Sequence, residues 1–182
     1  MSLLSLRQAV VAALAPALTL PGKAVAVAAH PGRFDAGELR RCATKAPIVL
    51  VSALGASDIQ DGGEVQGLCQ MAAFVLCRDL PRLPRDVAAL SLVERLLRAV
   101  PGNDWSGQAS QAPRDLRAEN LFSGELDQAG VALWAVSWRQ LAVLAPGDAD
   151  AGSLDWFLEC HITAVFGDGS PVHETAIQLP KG

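Results

Sequence analysis

APIVLVSALG at residues 46–55, EVQGLCQMAAFVLCRD at 64–79 and DVAALSLVERLLRAV at 86–100 make up the stretch that decides the fold. Residues 48–54 are apolar on both faces, as a strand covered from two sides must be. Across 65–78 the odd positions are apolar or small: Val65, Gly67, Cys69, Met71, Ala73, Val75 and Cys77. The even positions begin polar, at Gln66 and Gln70, then turn apolar at Ala72, Phe74 and Leu76. One face is therefore expected to be buried throughout and the other covered only over its second half. Fully extended, this segment would reach about 46 Å, enough to project beyond a small core, with a bulge expected near Gly67. Ala89, Leu92, Val93, Leu96, Leu97 and Val100 then form the i, i+3, i+4, i+7 stripe of a helix lying on a sheet. Asp86 reads as its N-cap, Glu94 and Arg98 as an outer pair, and Pro101-Gly102 as its stop.

Outward from this centre the signals thin. Leu3, Leu6, Val10, Ala13 and Leu14 mark an N-terminal helix with Ser2 as cap and Pro16 as breaker. The apolar run 9–20 also resembles a signal peptide, but Arg7 sits where a leader should be apolar and the residues before it alternate as a helix face does. Residues 23–29 read as a short strand, HPGRFD as a turn and 35–45 as a short helix or a loop. GASDIQDGGE reads as a connection, its Gly and Asp residues supplying turn conformations rather than the oxygen spacing of a calcium loop. Residues 103–113 form a polar loop around Trp105, which reads as a lid on the sheet edge or a contact for a partner. Residues 114–123 read as a strand and 131–144 as a second long one, with Trp134 and Trp138 on the face of Val136. Residues 154–166 alternate cleanly and are expected to join the same sheet through a hairpin loop, APGDADAGS. About 167–182 reads as a loosely held tail. The expected fold class is thus α+β: a single domain over 1–182, a mostly antiparallel sheet with long strands, and helices packed on one face.

Composition narrows the function classes. Half of the 182 residues are apolar and 19% are charged, so a sizeable core is available and global disorder is excluded. Fifteen Lys and Arg against nineteen Asp and Glu give a net charge of −4, which argues against a specific nucleic-acid binder. Arg78, Arg82 and Arg85, diluted by Asp79 and Asp86, read as a solvated corner. Cys42, Cys69, Cys77 and Cys160 form no CxxC pair and lack a finger-like histidine spacing, so they read as free thiols of a reducing compartment.

No hydrolase elbow, phosphate loop or dinucleotide fingerprint occurs. Cys160 and His161 are neighbours on a strand and point apart, whereas His161 and Glu159 share an outer face and read as an exposed ion pair. His30 reads as an ordinary satisfied histidine beside a turn. The residues predict no catalytic group, no metal and no cofactor, and no pocket that brings a buried thiol or carboxylate within hydrogen-bond reach of a histidine. Gln66 and Gln70, polar on a strand too long for its own core, are the predicted interface residues.

The order helix, APIVLV strand, long strand, LSLVERLLRAVPG helix and later long strands resembles the tail proteins of Mu-like phages and prophages, a family similar to the tail terminators of long-tailed phages. ATKAPIVLV at 43–51 and DVAALSLVERLLRAVPGNDW at 86–105 carry the resemblance, which covers about residues 3–166. Residues 61–65 and the Trp-rich later strands depart from it. The resemblance implies a structural virion protein assembled in the host cytoplasm. It would be a homo-oligomeric ring, commonly a hexamer, that caps the tail tube, stops its polymerisation and meets the tail-tube and head–tail connector proteins. Another minor tail or neck component is the nearest alternative. A secreted or periplasmic binding domain and a small enzyme using Cys42 or His30 are the readings from other classes.

Overall fold

The computed structural model describes residues 2–21, 23–34, 36–61, 65–121, 123–144, 159–165 and 171–178. The chain divides into two compact units, Met1–Pro146 and Gly147–Gly182. In the first, α1 (Leu3–Leu14), β1 (Thr19–Leu20), β2 (Lys23–Ala24), β3 (Ala26–Ala29) and α2 (Ala36–Ala43) precede the long pair β4 (Ile48–Asp61) and β5 (Val65–Arg78). Then follow α3 (Arg85–Ala99), β6 (Arg114–Asn120), α4 (Gly124–Gln128) and β7 (Val131–Val143). Five strands form one sheet in the order β3-β4-β5-β7-β6, antiparallel except for the β3–β4 pair. That pair is parallel because α2 provides the crossover that a parallel connection needs. The α+β class and the mostly antiparallel sheet are as expected.

The periodicities explain the layers. In α1 the buried Leu6, Val10 and Leu14 recur every four residues. Ser2 and Ser5 close a capping box, each side chain accepting the other's backbone N–H. In α3 the buried face is Ala88, Ala89, Leu92, Val93 and Leu96. Both helices pack with Val49, Val51, Cys69, Met71, Ala73, Val75, Val136 and Trp138 into one core on one face of the sheet. The other face carries a second core of Ile48, Leu50, Ala72, Phe74, Leu76, Leu133 and Ala135 with Cys42 and Ala43 of α2 and Leu126 of α4. The long helices thus share one face as expected, and the two short ones occupy the opposite face.

Several boundaries differ from the sequence reading. The helix expected from Asp86 begins one residue earlier, at Arg85 after Pro84, and Pro84 offers no side-chain cap. The carboxylate that accepts a first-turn N–H is Asp79, 2.9 Å from Arg85 N, which folds the DLPRLP corner back onto the helix start. Asp86 sits in the first turn, where its charge favours the helix dipole. The segment expected to be a connection is mostly strand, since β4 runs on to Asp61. Its turn-like residues serve bulges instead. The register shifts between Ala53 and Gly55 and between Ser57 and Gln60, and Asp58 takes φ +51°. The second shift lies opposite Gly67, where a Cβ would stand 2.6 Å from Leu144 Cδ1. The bulge is near Gly67 as expected, but the extra residue belongs to β4.

The second unit overturns one expectation outright. The described part of 154–166 is β8 (Glu159–Val165), which pairs antiparallel with β9 (Pro171–Gln178) in a separate two-stranded sheet and not with β7. Strand alternation reveals that a segment is extended, not which neighbour it pairs with. Within the segment expected to be a loosely held tail, Pro171–Gln178 forms β9. The APGDADAGS connection lies outside the described residues.

Candidate functional site

Cover over the sheet is uneven. On the face holding Ile48, Leu50, Phe74 and Leu133, α2 and α4 stop short of the far half. Beyond Ala72 this face presents Gln70, Ser137 and Arg139, cross-strand partners or near neighbours in the β5–β7 register. On β6 it presents Arg114 opposite Arg139, Arg117 opposite Ser137 and Glu119 opposite Ala135. Gln70, Asp115, Arg117, Glu119, Ser137, Trp138 and Arg139 line a shallow cleft of about 160 Å³. Sites for small molecules generally enclose about 300–1,000 Å³, so this cleft suits a side chain rather than a cofactor. Of the predicted interface pair, Gln70 is exposed and Gln66 half-buried on this same face, and Leu68 between them is buried.

The β4–β5 hairpin is the second feature of the far half. β3 covers β4 only from Ile48 to Val51. Beyond Ser52 the outer edge of β4 meets no strand among the described residues. Leu54 is 43% exposed, Ile59 60% and Val65 37%. Leu54 lies mid-strand and Ile59 and Val65 toward the hairpin's end, so exposed apolar side chains run along an edge that two register shifts interrupt.

A buried polar cluster lies where β3 runs into α2. His30 N–H donates to Val51 O, extending the β3–β4 pairing by one residue. Gly32 at φ +88° turns the chain, and its N–H donates to His30 Nδ1 at 3.0 Å. The proton therefore sits on Nε2, which donates to Glu38 Oε1 at 2.8 Å. The ring is 3% exposed and stacks on Phe34 with centroids 4.4 Å apart. Glu38 also accepts from Arg41, and the Cys42 thiol donates to Oε1 at 3.5 Å. Its carboxyl is held down to about 2, first by the Arg41 guanidinium and then by His30. Burial, reinforced by the carboxylate, pushes the Cys42 thiol up. The fold thus brings His30 within hydrogen-bond reach of a half-buried carboxylate beside the buried Cys42 thiol, in a packed cluster rather than in the pocket the expectation concerned. The sequence hint was the i, i+4 spacing of Glu38 and Cys42 on α2 just after a turn histidine, legible only if 35–45 is taken as a helix.

The trio has the donor types of a metal site, with ligand atoms within 4.8 Å of one another. Its hydrogen bonds do not suit one. A metal on Nε2 would move the ring proton to Nδ1, directly against the Gly32 N–H. A thiol raised above its ordinary range is also a poor thiolate donor and a poor nucleophile. Cys69 and Cys77 are buried apolar thiols as well, with Cys77 pushed up to about 12 by burial. The cluster fits a clamp that fixes α2 to the sheet.

Of the two readings of the Trp105 loop, the partner contact fails, since the side chain is fully buried, whereas the loop does close over the sheet, with Ser110 N–H donating to Leu141 O of β7. The Trp105 indole N–H and that of Trp138 both donate to Gln140 Oε1. Gln140 Nε2 donates in turn to Asn103 O at 2.9 Å and Gln111 O at 2.8 Å. Asn103 and Asp104 accept the N–H groups of Trp105 and Ser106, which stabilises their positive φ of +56° and +59°. A single amide, buried on β7, thereby ties both indoles to the two ends of the loop. The signal was available in the sequence: Gln140 is the one polar residue on the Trp134, Val136, Trp138, Ala142 side of the strand.

A scan against protein-family models finds no match for this chain, and a search of curated proteins finds none either. Among the described residues no helix is long and apolar enough to cross a membrane.

Proposed function

We propose that the chain is a structural subunit of a phage tail, the tail terminator whose homo-oligomeric ring caps the tail tube, halts its polymerisation and meets the head–tail connector. The observation that carries this reading is the far half of the β4–β5 hairpin, which outruns the helices and exposes Leu54, Ile59 and Val65. A strand pair that the described residues leave uncovered suits a subunit whose neighbours complete it, and a ring supplies such neighbours by head-to-tail contacts. The resemblance of residues 43–51 and 86–105 to Mu-like tail proteins supports the same reading. So does the net charge of −4, which would not hold back DNA passing through a ring. An enzymatic role draws no support from the His30 cluster, whose donors are engaged with one another.

Light scattering across a wide concentration range, with and without the cognate tail-tube protein, tests the reading. A discrete ring mass is expected, reached more readily when tube protein is present. A chain that stays monomeric throughout is not a ring terminator.

A further inference from the structure

Two surfaces of unlike charge occupy the uncovered half of the sheet. From residue 46 to residue 77 the hairpin sequence contains no Lys or Arg, while Asp58 and Asp61 fall in the far half of β4. The open face of β6 and β7 carries Arg114, Arg117 and Arg139 against Asp115 and Glu119. Arg139 and Asp115 approach to 3.8 Å. Arg114 and Arg117 have no ion pair among the described residues, and both are exposed.

The arm cannot reach this face in its own molecule. β5 is paired with β7 from Gln66 to Arg78, so the hairpin is fixed edge-on in the same sheet whose face bears the arginines. Simple strand addition along the free edge of β4 is disfavoured too, because its two register shifts break the even row of N–H and C=O groups. Among the described residues, what remains is a contact through side chains, made by a different copy. We propose that the acidic β4–β5 arm of one copy docks on the Arg114, Arg117 and Arg139 face of the next, with Ile59 and Val65 adding apolar area. This assignment rests on the ring reading above and specifies its interface. It makes the contact head-to-tail, since arm and face are different surfaces of one chain. It also makes assembly salt-sensitive, because exposed charges are screened within about 10 Å at 0.1 M salt.

The test is a charge exchange in the full chain, read by sedimentation velocity. Asp58→Lys with Asp61→Lys, and separately Arg114→Glu with Arg117→Glu, should each raise the concentration needed for assembly by about tenfold or more, as like charges meet across the contact. All four changes in one chain should restore assembly. Circular dichroism checks that each variant folds. Should the reversals misfold, Asp58→Asn with Asp61→Asn and Arg114→Gln with Arg117→Gln serve instead, and each should flatten the salt dependence of assembly. A wild type that assembles while the variants assemble equally well overturns this interface and leaves the ring standing. Failure of the fourfold exchange to rescue overturns the pairing of these two surfaces. A wild type that remains monomeric with tube protein present overturns the ring reading itself.

Discussion

The two halves of the β4–β5 pair are built from one continuous ladder and differ in nearly everything else. In the near half, Ile48 to Val51 and Met71 to Cys77 are buried on both faces, between α1 and α3 on one side and α2 and α4 on the other. In the far half, residues 54–60 are largely exposed, the register shifts twice, and the face at Gln70 is open. Strand pairing alone does not confer stability on a hairpin in water, where a covered face is also needed. The near half is therefore what keeps the far half in shape, and the far half is free to serve as surface. Substitutions in the first should cost folding, and substitutions in the second should cost assembly.

The largest effect is expected at Leu96, fully buried beneath α3. Leu96→Ala should lose about 2–5 kcal/mol of unfolding free energy in urea, from lost transfer energy and the cavity left behind. Ile59→Ala in the far half should change the same measurement by less than about 0.5 kcal/mol while weakening assembly. A large loss of monomer stability at Ile59 would erase the contrast between the halves. Gln140→Ala should come next, at about 2–4 kcal/mol, because it strands two buried indole N–H groups and two loop carbonyls. Tryptophan emission should shift with it as the loop around Trp105 loosens, and an unshifted spectrum would remove Gln140 from that role.

Glu38 gives a smaller effect with a defined pH window. Its folded-state value is depressed, so the stabilisation it gives is fully present above its ordinary value near 4.5 and is lost as pH falls toward about 2. Glu38→Gln should flatten the stability profile between these limits and lower the urea midpoint at neutral pH. Parallel profiles for the two proteins would show that the clamp on α2 has no such linkage. Smallest is Ser52, fully buried at the junction of the halves with an Oγ that has no hydrogen-bond partner among the described residues. Ser52→Ala should leave stability within about 0.5 kcal/mol or raise it slightly, since no bond is lost and a hydroxyl no longer needs desolvation.

Much of this contrast was legible in the residues. The bounds of β5, the α3 stripe and the thinning of cover toward Gln66 and Gln70 all follow from periodicity, because period and burial are local consequences of one face meeting a core. The end of β4 was not legible, since Gly and Asp serve bulges and turns through the same positive-φ conformations. Neither was the placement of β8, because alternation is silent on partners. The His30 cluster and the Gln140 hub escaped for a related reason. Each joins residues from separate elements: Glu38 reads as an ordinary polar position until the fold brings its partners alongside, and the apolar face around Gln140 signals its burial but not its partners.

Hydrogen exchange by mass spectrometry tests the division of labour between the halves most directly, by comparing the chain below and above its assembly concentration. Peptides from residues 53–70 and 114–120 should gain protection on assembly, while those from 71–77 and α3 should be slow in both states. Assembly that leaves 53–70 and 114–120 exchanging as fast as before would contradict the claim that neighbours complete the far half of the sheet.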